Sequence, residues 1–152
     1  MTPAALEERL DVLPHASTSE LMEMVESALE SPNRWFEDRP SAKRFKQVLD
    51  ALHAKLRRHH ATELLADDPE QPSAIMNSTD PQAARLNAEH STLLGLLGRL
   101  CEQCYTVATF TAHEQELFVL RLREFLAIFR RHKAEEDLRY YQTVWREVGG
   151  EG

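Results

Sequence analysis

Apolar residues recur at intervals of three and four along most of the chain, the rhythm of one face of an α-helix. Proline, glycine and short polar segments interrupt this rhythm at a few places, and no stretch shows convincing strand character. We therefore predict four long helices, over about residues 17–31, 40–65, 81–108 and 111–148. Helices of this length and order favour an all-α fold, an up-down-up-down four-helix bundle.

The predicted boundaries rest on capping and breaking residues. Ser17-Thr18-Ser19-Glu20 is typical of a helix start, whereas Pro32, Asp67-Asp68-Pro69 and Gly149-Gly150 are typical of helix ends. A shorter helical piece, Ala4–Leu13, precedes Pro14. We expect residues 1–152 to form one domain, with residues 1–16 as a candidate irregular extension.

One eight-residue pattern occurs twice, as Leu56-Arg-Arg-His-His-Ala-Thr-Glu63 and as Phe129-Arg-Arg-His-Lys-Ala-Glu-Glu136. Each copy has a histidine and a glutamate four residues apart, which places both side chains on the same face of a helix. Two such pairs on facing helices could enclose a metal ion.

The apolar stripe of each helix predicts that these side chains point inward. On the second helix the stripe continues to His59 and Glu63, and on the fourth it continues to His132 and Glu136; on the third, His90 takes a core position. A lone histidine on an apolar face is usually a satisfied core residue. Three of them together with two carboxylates favour a metal site, because a buried carboxylate is costly unless it is paired or holds a metal. By the same stripe, we expect the side chains of His53, His60 and His113, and the neighbouring Arg58 and Arg131, to be solvated.

Helix rise supports this grouping. At about 1.5 Å per residue, Glu63, His90 and His132 fall at one level toward one end of an antiparallel bundle. The interval from His15 to His90 is similar to that from His59 to His132, which nominates His15 as a fourth ligand. The alternative is an exposed histidine ahead of a helix cap, because Pro14 precedes it.

Composition narrows the class of protein. The chain of 152 residues has a net charge of -7, which argues against binding of nucleic acid. Two cysteines cannot make a disulfide framework, and neither a signal peptide nor a membrane-spanning run is present, so we expect a cytoplasmic protein without membrane contact.

Cys101 and Cys104 are interpreted as core filler, with a redox dithiol as the alternative. Trp35 and Phe36 are expected to close the far end of the bundle, with a partner-binding patch as the alternative.

These motifs resemble the hemerythrin-like (HHE cation-binding) domain family: His-His-Ala-Thr-Glu late in the second helix, Glu89-His90 in the third and His132-Lys-Ala-Glu-Glu136 in the fourth. The resemblance covers nearly the whole chain and implies a four-helix bundle with a non-haem iron centre, commonly of two irons. It implies nitrogen ligands and bridging carboxylates at His15, His59, His90, His132, Glu63 and Glu136. Manganese or zinc would suit the same donors.

Two departures bear on function. Oxygen-carrying hemerythrins have a second histidine where this chain has Leu94, and an aspartate at the spacing of Asp137, although Glu136 fits the stripe better. The resemblance therefore implies a sensor, storage or oxidative member rather than an oxygen carrier. We expect the protein to bind or sense a small oxidant such as dioxygen, peroxide or nitric oxide, or to handle iron. We expect a metal-binding or sensor protein rather than a dedicated enzyme, and a sensor would act through a protein partner. The alternatives are a metal-free bundle with an interaction or structural role and a di-iron oxidase or peroxidase.

Overall fold

The computed structural model of the protein describes the backbone of residues 1–65 and 81–149, and within these ranges the side chains other than those of residues 62–65, 143 and 146–149. In these ranges the regular structure is all helical. The α-helices are α1 (Pro3–Glu7), α2 (Thr18–Leu29), α3 (Pro32–Phe36), α4 (Arg39–Leu65), α5 (Pro81–Gln103) and α6 (Ala112–Gly149). Two 3-10 turns cover Leu10–His15 and Val107–Thr109.

The boundaries of α2, α4 and α6 agree with the prediction to within about two residues, whereas α5 is shorter than predicted. It ends at Gln103 instead of about residue 108, and the chain turns before Val107–Thr109. The hydroxyl groups of Thr106 and Thr109 donate to the carbonyl oxygens three residues before them, at 3.4 and 2.6 Å. Such local bonds compete with the helical ladder and explain the early end.

The predicted piece Ala4–Leu13 also differs in detail. It divides into α1 and the turn Leu10–His15, and Pro14 lies inside that turn. Leu6 and Leu13 are nevertheless buried, so this segment covers part of the core rather than hanging free. The N-terminal extension is thus packed on the described body, with α1 and the turn both in contact with α4.

The helices pack in chain order along their apolar stripes. α2 lies against α4, α4 against α5 and α5 against α6, while α6 also contacts α2. At the end of α4 distant from His59, Trp35 and Phe36 of α3 are buried against Phe45, with ring centroids 5.8 and 5.2 Å apart in edge-to-face geometry. The prediction that this pair is buried there is confirmed.

The two cysteines are part of the same core. Cys101 and Cys104 are both buried and both thiols are free. Burial raises the pKa of Cys101 to about 12, with the Asp50 carboxylate adding to the effect, and burial likewise raises the pKa of Cys104. A buried thiol that resists ionisation is a poor nucleophile, which agrees with the interpretation as core filler.

The buried stripe of α6 stops near the middle of the helix. Phe118, Leu122, Phe125 and Phe129 are nearly inaccessible, as is His132. Further along, Leu138, Tyr141 and Trp145 are each more than half exposed. Searching the described helices for a long apolar span finds none that could cross a membrane.

Candidate metal centre

Three helices meet around one carboxylate. His59 comes from the last two turns of α4, His90 from the first half of α5 and Glu136 from the second half of α6. Each can offer one ligand atom such that the three atoms all lie within 4.8 Å of one another.

Both oxygens of Glu136 face imidazoles. Its Oε1 lies 2.5 Å from His90 Nε2 and 2.5 Å from His132 Nε2, and its Oε2 lies 3.9 Å from His59 Nε2. The rings of His90 and His132 meet edge to face, with centroids 4.5 Å apart. Three histidines therefore surround one carboxylate, as the stripes of the three helices predict.

The centre is buried on one side and open on the other. His90 and His132 are 2% and 0% exposed, and the side chain of Glu136 is 14% exposed. The side chain of His59, by contrast, is 53% exposed. Solvent can thus approach the group past His59, at the end of α4.

The histidines govern the electrostatics of the carboxylate. Burial alone would raise the pKa of Glu136, but its contacts with His132, His59 and His90 outweigh burial and hold that pKa well below its ordinary range. For His132, burial would lower the pKa, but the Glu136 carboxylate, joined by Glu89, raises it above the ordinary value. Glu136 is therefore an anion inside the protein that depends on its cationic or hydrogen-bonding neighbours.

The prediction that His60 and His53 are solvated is wrong. His60 is partly buried, and its ring stacks on that of His90 with centroids 4.9 Å apart. Both His59 and His60 lie about one turn beyond Leu56, at i+3 and i+4, so the two side chains straddle the stripe. His53 is also partly buried and lies against α5, where a Cβ on Gly98 would come within 3.5 Å of its Nε2.

The remaining predicted ligands fall elsewhere. His15 is exposed at the end of the turn Leu10–His15, and the contacts described for the centre do not include it. The side chain of Glu63 lies outside the described residues, so its role stays a prediction. Asp137 is exposed, whereas Glu136 points into the cluster, which agrees with the choice of Glu136. Arg58, Arg131 and His113 are exposed, as expected.

Glu89 belongs to the sequence motif, which does not indicate a role for it, and the structure places it beside His132. Its Oε1 lies 3.7 Å from Nδ1 of the buried His132, on the side of the ring away from Glu136. Its Oε2 lies 3.9 Å from Arg85, one turn earlier on α5. The apolar stripe could not indicate Glu89, because this side chain lies at the edge of the stripe rather than on it.

The donor set is chemically compatible with a transition metal. Imidazole nitrogens and carboxylate oxygens bind such ions at about 2.0–2.2 Å, so that two ligands of one ion are at most about 4.4 Å apart. The group's separations, none above 4.8 Å, are close to this limit. A small movement of the half-exposed His59 would bring all three donors into range.

Comparison with known proteins identifies no relative: no family model, no curated protein and no solved structure matches this chain. The geometry of the described residues must therefore carry the functional argument.

Proposed function

We propose that this chain is a non-haem metal-binding protein of the hemerythrin-like kind, in which α2, α4, α5 and α6 form a four-helix bundle. The order of helix contacts supports this, since each of the four packs on the next and α6 returns to α2. The single observation that carries the function is the placement of three imidazoles around the carboxylate of Glu136. The proposed ligands are His59, His90, His132 and Glu136.

Burial of the Glu136 carboxylate supports the proposal that a metal ion binds here. A charged group removed from water must be paired, or hold a metal, to offset the free energy of desolvation. His90 and His132 both contact the same oxygen of Glu136, so two nitrogen donors and one oxygen donor lie around one point that an ion could occupy. When bound, the ion would take over this oxygen and both ring nitrogens, each of which is a good metal ligand once it has lost its proton.

Iron is the metal that we propose, and the family resemblance implies two ions. Glu136 presents Oε1 to His90 and His132 and Oε2 to His59, so it would hold the metal together with these three histidines. Mixed imidazole and carboxylate ligands suit iron, and they also accept manganese or zinc. The family resemblance, rather than the donor set, favours iron.

The proposed role is binding or sensing of a small oxidant such as dioxygen, peroxide or nitric oxide. Three histidines and one carboxylate leave positions on the metal for an external ligand, and the exposed edge of His59 gives it a path. On the inner side, Leu93 and Phe129 are buried and border the stripe positions of His90 and His132, which keeps that side of the centre dry. In the bound state the protein's residues would position the metal, and the metal would supply the redox chemistry.

The test is metal content, measured on protein purified without a histidine tag after expression in iron-supplemented medium, together with the absorption spectrum in air. We expect at least about one metal ion per chain, and loss of most of it in His90→Ala and in His132→Ala, because each removes a buried nitrogen donor. His113→Ala is the matched control, because His113 is exposed at the start of α6.

Wild-type protein with far less than one metal ion per chain would refute the proposal and leave a metal-free helical protein. Equal losses of metal in the His90, His132 and His113 variants would refute the assigned site.

A further inference from the structure

One ring nitrogen of His132 is buried without a hydrogen bond. The side chain is 1% exposed, and among the described residues Nδ1 has no hydrogen-bond partner. The opposite nitrogen, Nε2, is the one that faces Glu136. A buried ring nitrogen of this kind costs free energy until it finds an acceptor, so a group within reach of Nδ1 is of direct interest.

Glu89 is that group. Its Oε1 is 3.7 Å from His132 Nδ1, and its side chain is 20% exposed. The distance is longer than a hydrogen bond, so the two side chains would have to approach by about 0.5–1 Å to form one.

Arg85 lies on the side of Glu89 that faces away from His132. The guanidinium lies 3.9 Å from Glu89 Oε2 and donates to Glu135 on α6 at 2.6 Å. The two oxygens of Glu89 therefore have different neighbours, with Oε2 facing Arg85 and Oε1 facing His132. The contact to Glu135 joins α5 to α6 beside the centre.

We propose that Glu89 is a positioning residue that accepts a hydrogen bond from Nδ1–H of His132 and so fixes Nε2 as the metal-binding nitrogen. This inference rests on the proposed function. A metal-bound histidine commonly donates its second ring N–H to a carboxylate, which sets the orientation of the ring and makes its other nitrogen a stronger ligand.

The experiment compares metal affinity in three variants by competition with a chelator of known affinity. Glu89→Ala should weaken metal binding by about 10- to 100-fold, the usual loss when such an outer carboxylate is removed. The number of ions bound at saturation should not change, because Glu89 supplies no ligand atom. Glu89→Gln retains an acceptor oxygen and should recover part of the affinity.

Glu135→Gln is the matched control. Glu135 also contacts Arg85 and also lies next to a proposed centre residue in sequence, but its carboxylate is bonded to the guanidinium. Its substitution should leave the affinity within about twofold of wild type, in contrast to the 10- to 100-fold loss at Glu89. A second readout needs no metal: the nitrogen NMR signals of His132 in the metal-free protein should change in Glu89→Ala and not in Glu135→Gln.

Failure of this inference can be distinguished from failure of the metal site. If wild-type protein binds no metal, the proposed function is wrong. If wild type binds metal and Glu89→Ala titrates identically, Glu89 has no positioning role. Loss of a whole metal equivalent in Glu89→Ala would also overturn the inference, because Glu89 would then be a ligand.

Discussion

At the scale of single residues, Glu136 shows that a buried carboxylate depends on the polar side chains around it. A carboxylate that is 14% exposed is stable as an anion here because three histidines lie around it and supply polar contacts and, when protonated, charge. Removal of one of these neighbours leaves a buried charge with fewer partners, which is costlier than loss of a surface ion pair. The same property makes the group receptive to a cation.

A second residue, Asp38, gives a prediction that depends on pH. Its Oδ1 accepts the backbone N–H of Ser41 at 2.8 Å, so Asp38 caps the N-terminus of α4. The hydrogen bonds from the backbone and then the side chain of Ser41 lower the pKa of Asp38 below its ordinary value. The stabilisation by the charged form is therefore complete above the unfolded pKa of about 3.9, and it is lost as pH falls through the lower folded pKa.

We expect Asp38→Ala to have a lower Tm than wild type near neutral pH, with a difference that shrinks as the pH falls below about 4. Thermal unfolding followed by circular dichroism across this range is the measurement. Asp38→Asn keeps a capping oxygen and should lie between the two. Glu124→Ala, which removes an exposed carboxylate from α6, is the control and should change Tm little. A Tm difference for Asp38→Ala that stays constant into strong acid would contradict this account.

At the scale of the helices, α6 follows its sequence pattern more closely than α4 does. The positions predicted to be buried on α6, from Phe118 to Phe129, are buried, and His132 continues them. On α4 the stripe is ambiguous after Leu56, because residues at i+3 and i+4 are both neighbours on a helix. The sequence favours His59 alone, whereas the structure uses both: His59 beside Glu136 and His60 stacked on His90.

The register of α6 gives a stability prediction. Leu122 is 0% exposed and Leu120 is 54% exposed, two leucines on the same helix in opposite environments. Leu122→Ala should lower the free energy of unfolding by about 2–5 kcal/mol, because it removes apolar contacts and leaves a cavity. Leu120→Ala is the matched control and should change that free energy by no more than about 0.5 kcal/mol. Denaturation with urea measures both, and a loss at Leu120 equal to that at Leu122 would show that the register is wrong.

At the scale of the whole molecule, helix length and order bring the site together. Helix rise predicts that Glu63, His90 and His132 lie at one level, and the structure brings His90 and His132 together at Glu136. Periodicity and level are properties of regular helices, which is why they could be predicted from sequence. The same arguments fail where regular helix ends: His15 lies in a 3-10 turn that contains Pro14, and an interval counted in residues has no fixed length there.

Other features of the centre depend on tertiary contacts that one helix pattern does not encode. Glu89 gains its importance from His132 on another helix, and His60 from the ring of His90. Spacing within α4 or α5 cannot reveal either contact, because each depends on how two helices are rotated against one another.

The central claim is that the histidines around Glu136 bind a metal ion, and the most direct test is nitrogen NMR of the seven histidines during titration with zinc. Zinc is diamagnetic and accepts the same donors, so large shifts report direct coordination at individual ring nitrogens. We predict that the first equivalents of zinc shift the ring nitrogens of His59, His90 and His132 and leave those of His53 and His113 unchanged. Unshifted signals from His90 and His132, or equal shifts at His113, would contradict the account.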